Sequence, residues 1–485
     1  MSLVKILAKE TLLYGLSYSL IRVVHFLILT PYLTGVFAQH KAYFPIQTEV
    51  YFLIALAVTL LGFRSETLYF RFVGDEKNSS GLLPTLYQGI VFLLIAFCLI
   101  SFLLINPINQ ILRYPPMEES LILAVFIIAL DVMAALPFAQ LRQEQKVKQY
   151  AIIKVLSVLI TIVCTIVFIE LDLHFPLHFY SDGAKKVFLV LAANLIGSLF
   201  SFFCLFRKMN FQFKYANSSL RNSLIRYAWP LVLVSLCYLF NQLGSISLVK
   251  YFYPAEAMQN LEMSSDFSAV LRLSVIMNIF VTAFNYAAEP FFFKNASRDD
   301  HKQLYGKVSL YFVLVCSVLL LGVCLFQEIP ALLLNKEFRG NLNLLSVLLL
   351  SNIFVGISTN FSTWYKLSDR TMQAAYISIA SVIFTLLCSL IWIPKYGVQA
   401  TAYIMLAGNG LITVISYLQG QKNYAIDYPL VRMGFYLIFP LFLLYLQNLL
   451  QRSFQLNSMS LYSLKTVLFL LYLSIIYFIE KPHKK

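Results

Sequence analysis

Apolar runs of about 20 residues recur from one end of the chain to the other, separated by short polar stretches. Each run is long enough to cross a bilayer core of about 30 Å. The pattern predicts about fourteen membrane helices, near residues 11–36, 44–63, 82–105, 120–141, 150–169, 185–206, 226–249, 264–293, 307–327, 343–366, 372–393, 397–419, 429–449 and 459–480. A transmembrane β-barrel would alternate apolar and polar positions over segments of about ten residues, whereas these runs are continuous. The connecting loops are short and leave no room for a soluble domain. The expected fold class is an all-α polytopic membrane protein.

Composition agrees: 59% of the residues are hydrophobic and 12% charged, against about 25% charged in a soluble domain. The net charge of +14 would suit a nucleic-acid binder, but the charges lie in alternate short loops, as the positive-inside rule requires. Arg207, Lys208, Lys214, Arg221 and Arg226 crowd one loop, Arg142, Lys146 and Lys148 another, and Lys481, Lys484 and Lys485 end the chain. With the N-terminus in the cytoplasm, about 24 basic residues fall on the inner side and about 9 on the outer, so both termini are expected to be cytoplasmic. The first apolar run contains Arg22 and lacks a small-residue cleavage site, which reads as a first membrane helix, not a removed signal. All seven cysteines fall in apolar runs without metal-ligand spacing.

The stretch Ala283–Asn295 ends a long apolar run yet carries Asn285, Glu289 and Lys294 around a Phe cluster. It echoes Gly62–Phe72: Glu66-Thr-Leu-Tyr-Phe-Arg71 aligns with Glu289-Pro-Phe-Phe-Phe-Lys294, an acid, an aromatic pair and a base at one spacing. Leu141–Tyr150 and Leu367–Tyr376 pair likewise after the fourth and tenth helices, as do Leu86-Tyr87 and Leu304-Tyr305. The chain therefore reads as two parallel six-helix lobes, residues 1–222 and 223–424, followed by two helices in 425–485. In such transporter plans the substrate site lies between the repeats.

A charge near the bilayer centre costs roughly 2.5–3.5 kcal/mol on insertion scales, so each needs a reason. Thr11, Tyr14, Tyr18, Arg22 and His25 share a sector of about 80° on helix 1; Arg22 is either a cavity cation or the partner of a neighbouring carboxylate. Ser274, Asn278, Thr282, Asn285 and Glu289 form a similar stripe on helix 8, where Glu289, before the helix-weakening Pro290, is a candidate proton or cation site or one half of an ion pair. Arg272 lies off that stripe and either faces a cavity or snorkels. Asp131, alone in the middle of helix 4, is a coupling carboxylate or a structural partner of Lys154. Arg64 and Arg71 at the inner end of helix 2 are headgroup anchors or the mouth of a cationic cavity, with Glu66 between them a further ion-coupling candidate. Asn352, Gly356, Thr359, Asn360 and Thr363 on helix 10 make an uncharged stripe suited to sugar hydroxyls or to helix packing. No Walker A loop, HExxH or GxSxG motif is present, so the sequence gives no reason to read an enzyme.

The segments Thr11–Arg22, Glu66–Phe72, Leu136–Arg142, Ala287–Phe293 and Trp364–Arg370 resemble the polysaccharide-biosynthesis (Wzx-like) flippases of the multidrug/oligosaccharidyl-lipid/polysaccharide (MOP) exporter superfamily, over essentially the whole chain. The resemblance implies a two-lobed carrier of the bacterial inner membrane that moves undecaprenyl-diphosphate-linked oligosaccharide to the outer leaflet for surface polysaccharide or lipopolysaccharide assembly. It also implies polymerase and glycosyltransferase partners and a groove on helices 13–14 for the polyprenyl tail. Arg22, and with it Arg64, Arg71 and Arg272, are the positions it offers as diphosphate partners, since guanidinium forks suit phosphate oxygens; Asn352 and Asn360 are the sugar-facing candidates. No cofactor is implied beyond a coupling H+ or Na+ at Glu289, Asp131 or Glu66. The rival readings are a cation-coupled multidrug antiporter, which wants acidic cavity residues, and a glycan polymerase or ligase, which wants a large outer loop.

Overall fold

A computed structural model describes residues 16–73, 79–174, 181–209, 211, 218–295, 299–362, 364–365, 371–455 and 457–481. The protein is an all-α polytopic membrane protein. Among the described residues, 13 helices are long and apolar enough to cross a membrane, and a shorter apolar helix spans Arg22–Val36. Large apolar side chains such as Leu103, Val431 and Phe478 are largely exposed around these helices. That is the reverse of a soluble surface and the natural result of lipid as solvent.

The helices fall into two compact units. One comprises residues 24–268 and 371–404. It contains most of α1 (Leu16–Val36), then α2 (Tyr43–Gly62), α3 (Ser65–Phe72), α4 (Ser79–Leu103), α5 (Ile105–Ile111), α6 (Glu118–Gln143), α7 (Val147–His174) and α8 (Asp182–Leu205). α9 (Ser218–Leu239) runs through a π-helical segment, Phe240–Gly244, into α10 (Ser245–Phe252). α7 and α8 pair closely because Gly197 has no Cβ to keep them apart: Ser157 Oγ donates to the Gly197 carbonyl at 2.9 Å. Small residues at such crossings are how membrane helices approach without a hydrophobic driving force. α6 packs on α8 and α2, and α9 and α10 pack on α15 (Thr371–Tyr396).

The other unit comprises residues 1–23, 269–370 and 405–485. Its centre is α12 (His301–Leu325), which contacts α14 (Leu345–Phe361), α17 (Leu430–Phe454) and α18 (Ser458–Glu480). Leu321, Leu325, Leu443, Leu468 and Tyr472 form one core there, and the Tyr472 hydroxyl lies 2.6 Å from Ser317 Oγ. The C-terminal pair is anchored a second time by Lys465, 3% exposed, whose ammonium meets Glu328 of the short helix α13 (Glu328–Ala331) at 2.5 Å. α11 (Ala257–Lys294) is a single 38-residue helix that passes from one unit to the other at Ser268/Ala269, and α16 (Val398–Asn423) passes back at Ile404/Met405.

The two echoing acid–aromatic–base stretches differ in backbone. Glu289–Lys294 continues α11 without a break, through the position of Pro290. Glu66–Arg71 instead forms its own short helix, because Phe63 (φ 44°) and Arg64 (φ 53°) both take the left-handed conformation and end α2.

Candidate functional site

In the unit built around α12, the polar stripes of α11 and α14 meet. Asn352 Nδ2 donates to the Ser274 carbonyl at 3.1 Å and approaches Ser274 Oγ at 3.3 Å, all buried. Asn352 therefore holds two helices together. Thr282 Oγ1 donates to Asn278 Oδ1 at 3.3 Å along the same stripe. Eight residues beyond Asn352, Asn360 is 2% exposed and both its amide nitrogen and oxygen lack a hydrogen bond within the protein; Asn285 Oδ1 is buried in the same condition. A buried amide without partners costs about 1–3 kcal/mol, so these groups are polar capacity held in reserve. Arg272 is half-buried on α11, and Arg22 is exposed on α1 at the last turn that belongs to this unit. Glu289 is helical, but its side chain lies outside the described residues, as do the side chains of Thr11, Tyr14, Tyr18 and Thr363.

The remaining sequence candidates belong to the other unit. Glu66 forms an ion pair with Arg142 of α6, whose guanidinium also stacks 4.9 Å from the centre of the Phe70 ring. Arg64 is exposed at the break after α2, and Arg71 is exposed in the last turn of α3. Asp131 is half-buried on α6, facing Ser198 of α8 and Lys154 of α7; the Lys154 ammonium in turn sits 4.1 Å above the Phe138 ring. Next to these, Glu144 at the end of α6 receives both Lys146 and Lys208 at 2.7 Å. Those hydrogen bonds, Lys146 first, lower its carboxyl below the usual value.

The strongest charged cluster was not among the sequence candidates. Lys250 on α10 and Glu49 on α2 are 1% and 5% exposed, and the ammonium binds both carboxylate oxygens at 2.9 and 2.8 Å. The same ammonium lies 4.3 Å from the Tyr114 ring centre and 5.1 Å from that of Tyr251. Arg113, exposed and with φ 52°, also lies over the Tyr251 ring, 5.1 Å from its centre. The Tyr251 hydroxyl donates to the Ile111 carbonyl at 2.8 Å, and Asn260 Nδ2 donates to the carbonyls of Tyr253 and Ala255 at 3.0 and 3.1 Å. Tyr114 is buried against Glu49, and burial first, then that carboxylate, pushes its phenol well above the usual range. A second pair, Lys41–Asp266 at 2.8 Å, ties the α1–α2 turn to α11. Glu49 is an acid inside the second apolar run, and that was its signal in the sequence. Lys250 gave none, because a lysine at a helix end is ordinarily solvated.

A third feature lies in the same unit, just before α10. Asn241, in the π-helical segment, donates through Nδ2 to Ser381 Oγ and accepts from Thr385 Oγ1, both at 3.0 Å, fixing that segment to α15. π-Bulges of this kind concentrate at functional sites. Among the described residues no cluster of three His, Cys, Asp or Glu side chains is placed to hold a metal ion.

No family model matches the sequence, and no curated protein matches it. Solved structures do. The lipid II flippase MurJ in an inward closed conformation superposes with a TM-score of 0.66 at 14% identity, over 95% of this chain and 98% of that one. A MOP-superfamily transporter from Pyrococcus furiosus, described by the reverse polarity of its binding pocket, gives 0.61 at 12% identity, over 89% and 96%. A multidrug resistance MATE family transporter of the same superfamily, inward-facing, gives 0.60 at 13% identity, over 83% and 94%. The chain thus has the fold shared by MOP-superfamily transporters and a lipid flippase.

Proposed function

We propose that the protein is a flippase that carries a polyprenyl-diphosphate-linked oligosaccharide across a bacterial inner membrane by alternating access, with both termini cytoplasmic. The observation that carries the reading is the likeness to the lipid II flippase over 95% of the chain, in a protein whose first helix presents an exposed arginine, Arg22, within an apolar run. In this reading Arg22 attracts the diphosphate, assisted by Arg272. The free amide of Asn360 and the Asn285 oxygen meet sugar hydroxyls, while the polyprenyl tail stays in lipid against α17 and α18. An anionic headgroup leaving a negative-inside cell gains about 2.3 kcal/mol per charge per 100 mV. A coupling H+ or Na+ at Glu289 or Asp131 then resets the carrier. Glu66 is the weakest of the three coupling candidates, because its carboxylate is already occupied by the Arg142 guanidinium, which a coupling ion would have to displace.

Alternating access gives the Lys250–Glu49 pair a role. It links α10, from the second sequence half, to α2, from the first, within one compact unit, and in this reading it is the contact that parts if helices 1–6 rock against 7–12. A polysaccharide polymerase and glycosyltransferases are the partners such a substrate requires. The likeness to a multidrug transporter supports a second reading, cation-coupled drug export with Asp131 as the acidic group.

The test is reconstitution in liposomes with a fluorescent polyprenyl-diphosphate oligosaccharide, wild type beside Arg22→Ala. Movement in the wild type and a loss of tenfold or more in the variant support the reading. Equal movement removes Arg22 from the site, and drug–cation exchange without lipid movement replaces the reading with the second one.

A further inference from the structure

The break between α2 and α3 opens a cavity of about 580 Å³ in the unit that holds Glu49. Phe63 and Arg64 take left-handed backbone conformations in succession, each of which costs an L-residue roughly 1–2 kcal/mol. Strain of this kind persists where the surroundings over-determine it, and it gathers at ligand clamps. Here it swings the chain aside, so that Ser65 and Leu68 of α3 face α4 and α9 across an open space.

The walls of that space are carbon, from Leu68, Leu86, Leu93 and Leu224, together with the bare backbone of Gly89. The polar lining is Ser65, Gln88, Thr85 and the guanidinium-bearing Arg221 of α9, and the Thr85 hydroxyl is already engaged with the Gly81 carbonyl at 2.6 Å. No carboxylate is among the described lining residues, and exposed Arg64 stands between the two lining residues Phe63 and Ser65. An apolar pocket with the Arg221 guanidinium in its lining and no carboxylate among the described lining residues matches one class of molecule, a chain carrying a phosphate. The size selects within that class. About 580 Å³ is in the small-ligand range of roughly 300–1,000 Å³, enough for a phosphate group and part of an acyl chain but not for an oligosaccharide-bearing cargo. The helix ends here are those that the lysine and arginine count places at the cytoplasm, where the leaflet is anionic and each surface arginine attracts it.

We propose that this cavity seats an anionic phospholipid of the bilayer, its phosphate at Arg221 and Ser65 with Arg64 alongside, and one chain between α4 and α9. The lipid would bridge α2–α4, from the first sequence half, and α9, from the second. The site stands whether or not the protein moves a lipid-linked sugar, because binding is measured without transport.

Two variants separate charge from volume. Arg221→Gln removes the cation and keeps the space. Gly89→Leu keeps the cation and fills the space: a Cβ at Gly89 meets nothing within 4 Å, and the exchange raises helix propensity, so the fold is retained. Delipidated protein is titrated with phosphatidylglycerol and, separately, phosphatidylcholine, and bound lipid is counted by native mass spectrometry. Wild type is expected to hold one phosphatidylglycerol in preference to phosphatidylcholine by about fivefold to tenfold. Arg221→Gln should erase that preference, and Gly89→Leu should lower binding of both lipids. Equal binding of the two lipids by wild type, or phosphatidylglycerol retention unchanged in both variants, overturns the proposal. Displacement of phosphatidylglycerol by a stoichiometric amount of a polyprenyl diphosphate overturns it in another way, by making the cavity a cargo site.

Discussion

Glu49→Ala should be among the most destabilising single changes in this protein. The carboxylate and the Lys250 ammonium it binds are 5% and 1% exposed, so water cannot replace either partner. Removing the acid leaves the ammonium against the rings of Tyr114 and Tyr251, and cation–π attraction of about 0.5–2 kcal/mol does not offset the desolvation of a full charge. Breaking one side of a buried pair costs about 3–5 kcal/mol, and Lys250→Ala should cost a similar amount. Replacing both by apolar residues of similar volume, Glu49→Leu with Lys250→Met, should cost little or stabilise by about 1–4 kcal/mol, because the double change removes both desolvation penalties. The measurement is reversible unfolding in mixed micelles with rising dodecyl sulfate, for both single variants and the double. The reasoning predicts a coupling energy of several kcal/mol. It fails if each single change costs under about 1 kcal/mol, the size of an exposed surface pair.

Asn241→Ala should cost about 1–3 kcal/mol in the same assay, since it strips the partner from Thr385 Oγ1 and the donor from Ser381 Oγ inside the bilayer; a cost near zero would mean that the π-helical segment is held by something else. Gly306→Ala should destabilise by about 1–3 kcal/mol as an overpacked contact, although alanine is the better helix former by about 1 kcal/mol, because the new Cβ meets the Asp427 carbonyl oxygen. Glu144→Gln tests linkage. The folded-state value of Glu144 lies below the ordinary 4.5 because Lys146 and Lys208 hold its charged form, so its contribution is present above that pH and lost as pH falls through the depressed value. The stability difference between Glu144→Gln and wild type should be small, constant above pH 5 and absent in strong acid; a difference that grows below pH 4 contradicts the assignment.

The helices were legible because lipid demands continuous apolar runs, and the ends of α6, α12 and α18 fall within a few residues of where those runs stop. The end of α2 was legible too, one residue from the expected 63, but the left-handed backbone at Phe63–Arg64 and the separate short α3 were not, since neither residue is a glycine or proline and only tertiary packing makes that conformation bearable there. Ser274 and Asn352 lie on stripes that periodicity revealed, but their direct bond depends on which helices become neighbours, which no local pattern states. Lys250 was hidden for a related reason. A lysine two residues from a helix end looks solvated until Glu49, Tyr114 and Tyr251 arrive from other parts of the chain.

The most direct test of transport by alternating access uses the Glu49–Lys250 contact as a lock. Cysteines are placed at positions 49 and 250, with the seven native cysteines changed to serine. The protein is reconstituted in liposomes and bridged by a short reducible cross-linker while polyprenyl-diphosphate oligosaccharide movement is followed. Movement should stop while the two positions are bridged and return on reduction. Undiminished movement in the bridged protein would contradict the account, because the two sequence halves could then do their work without parting.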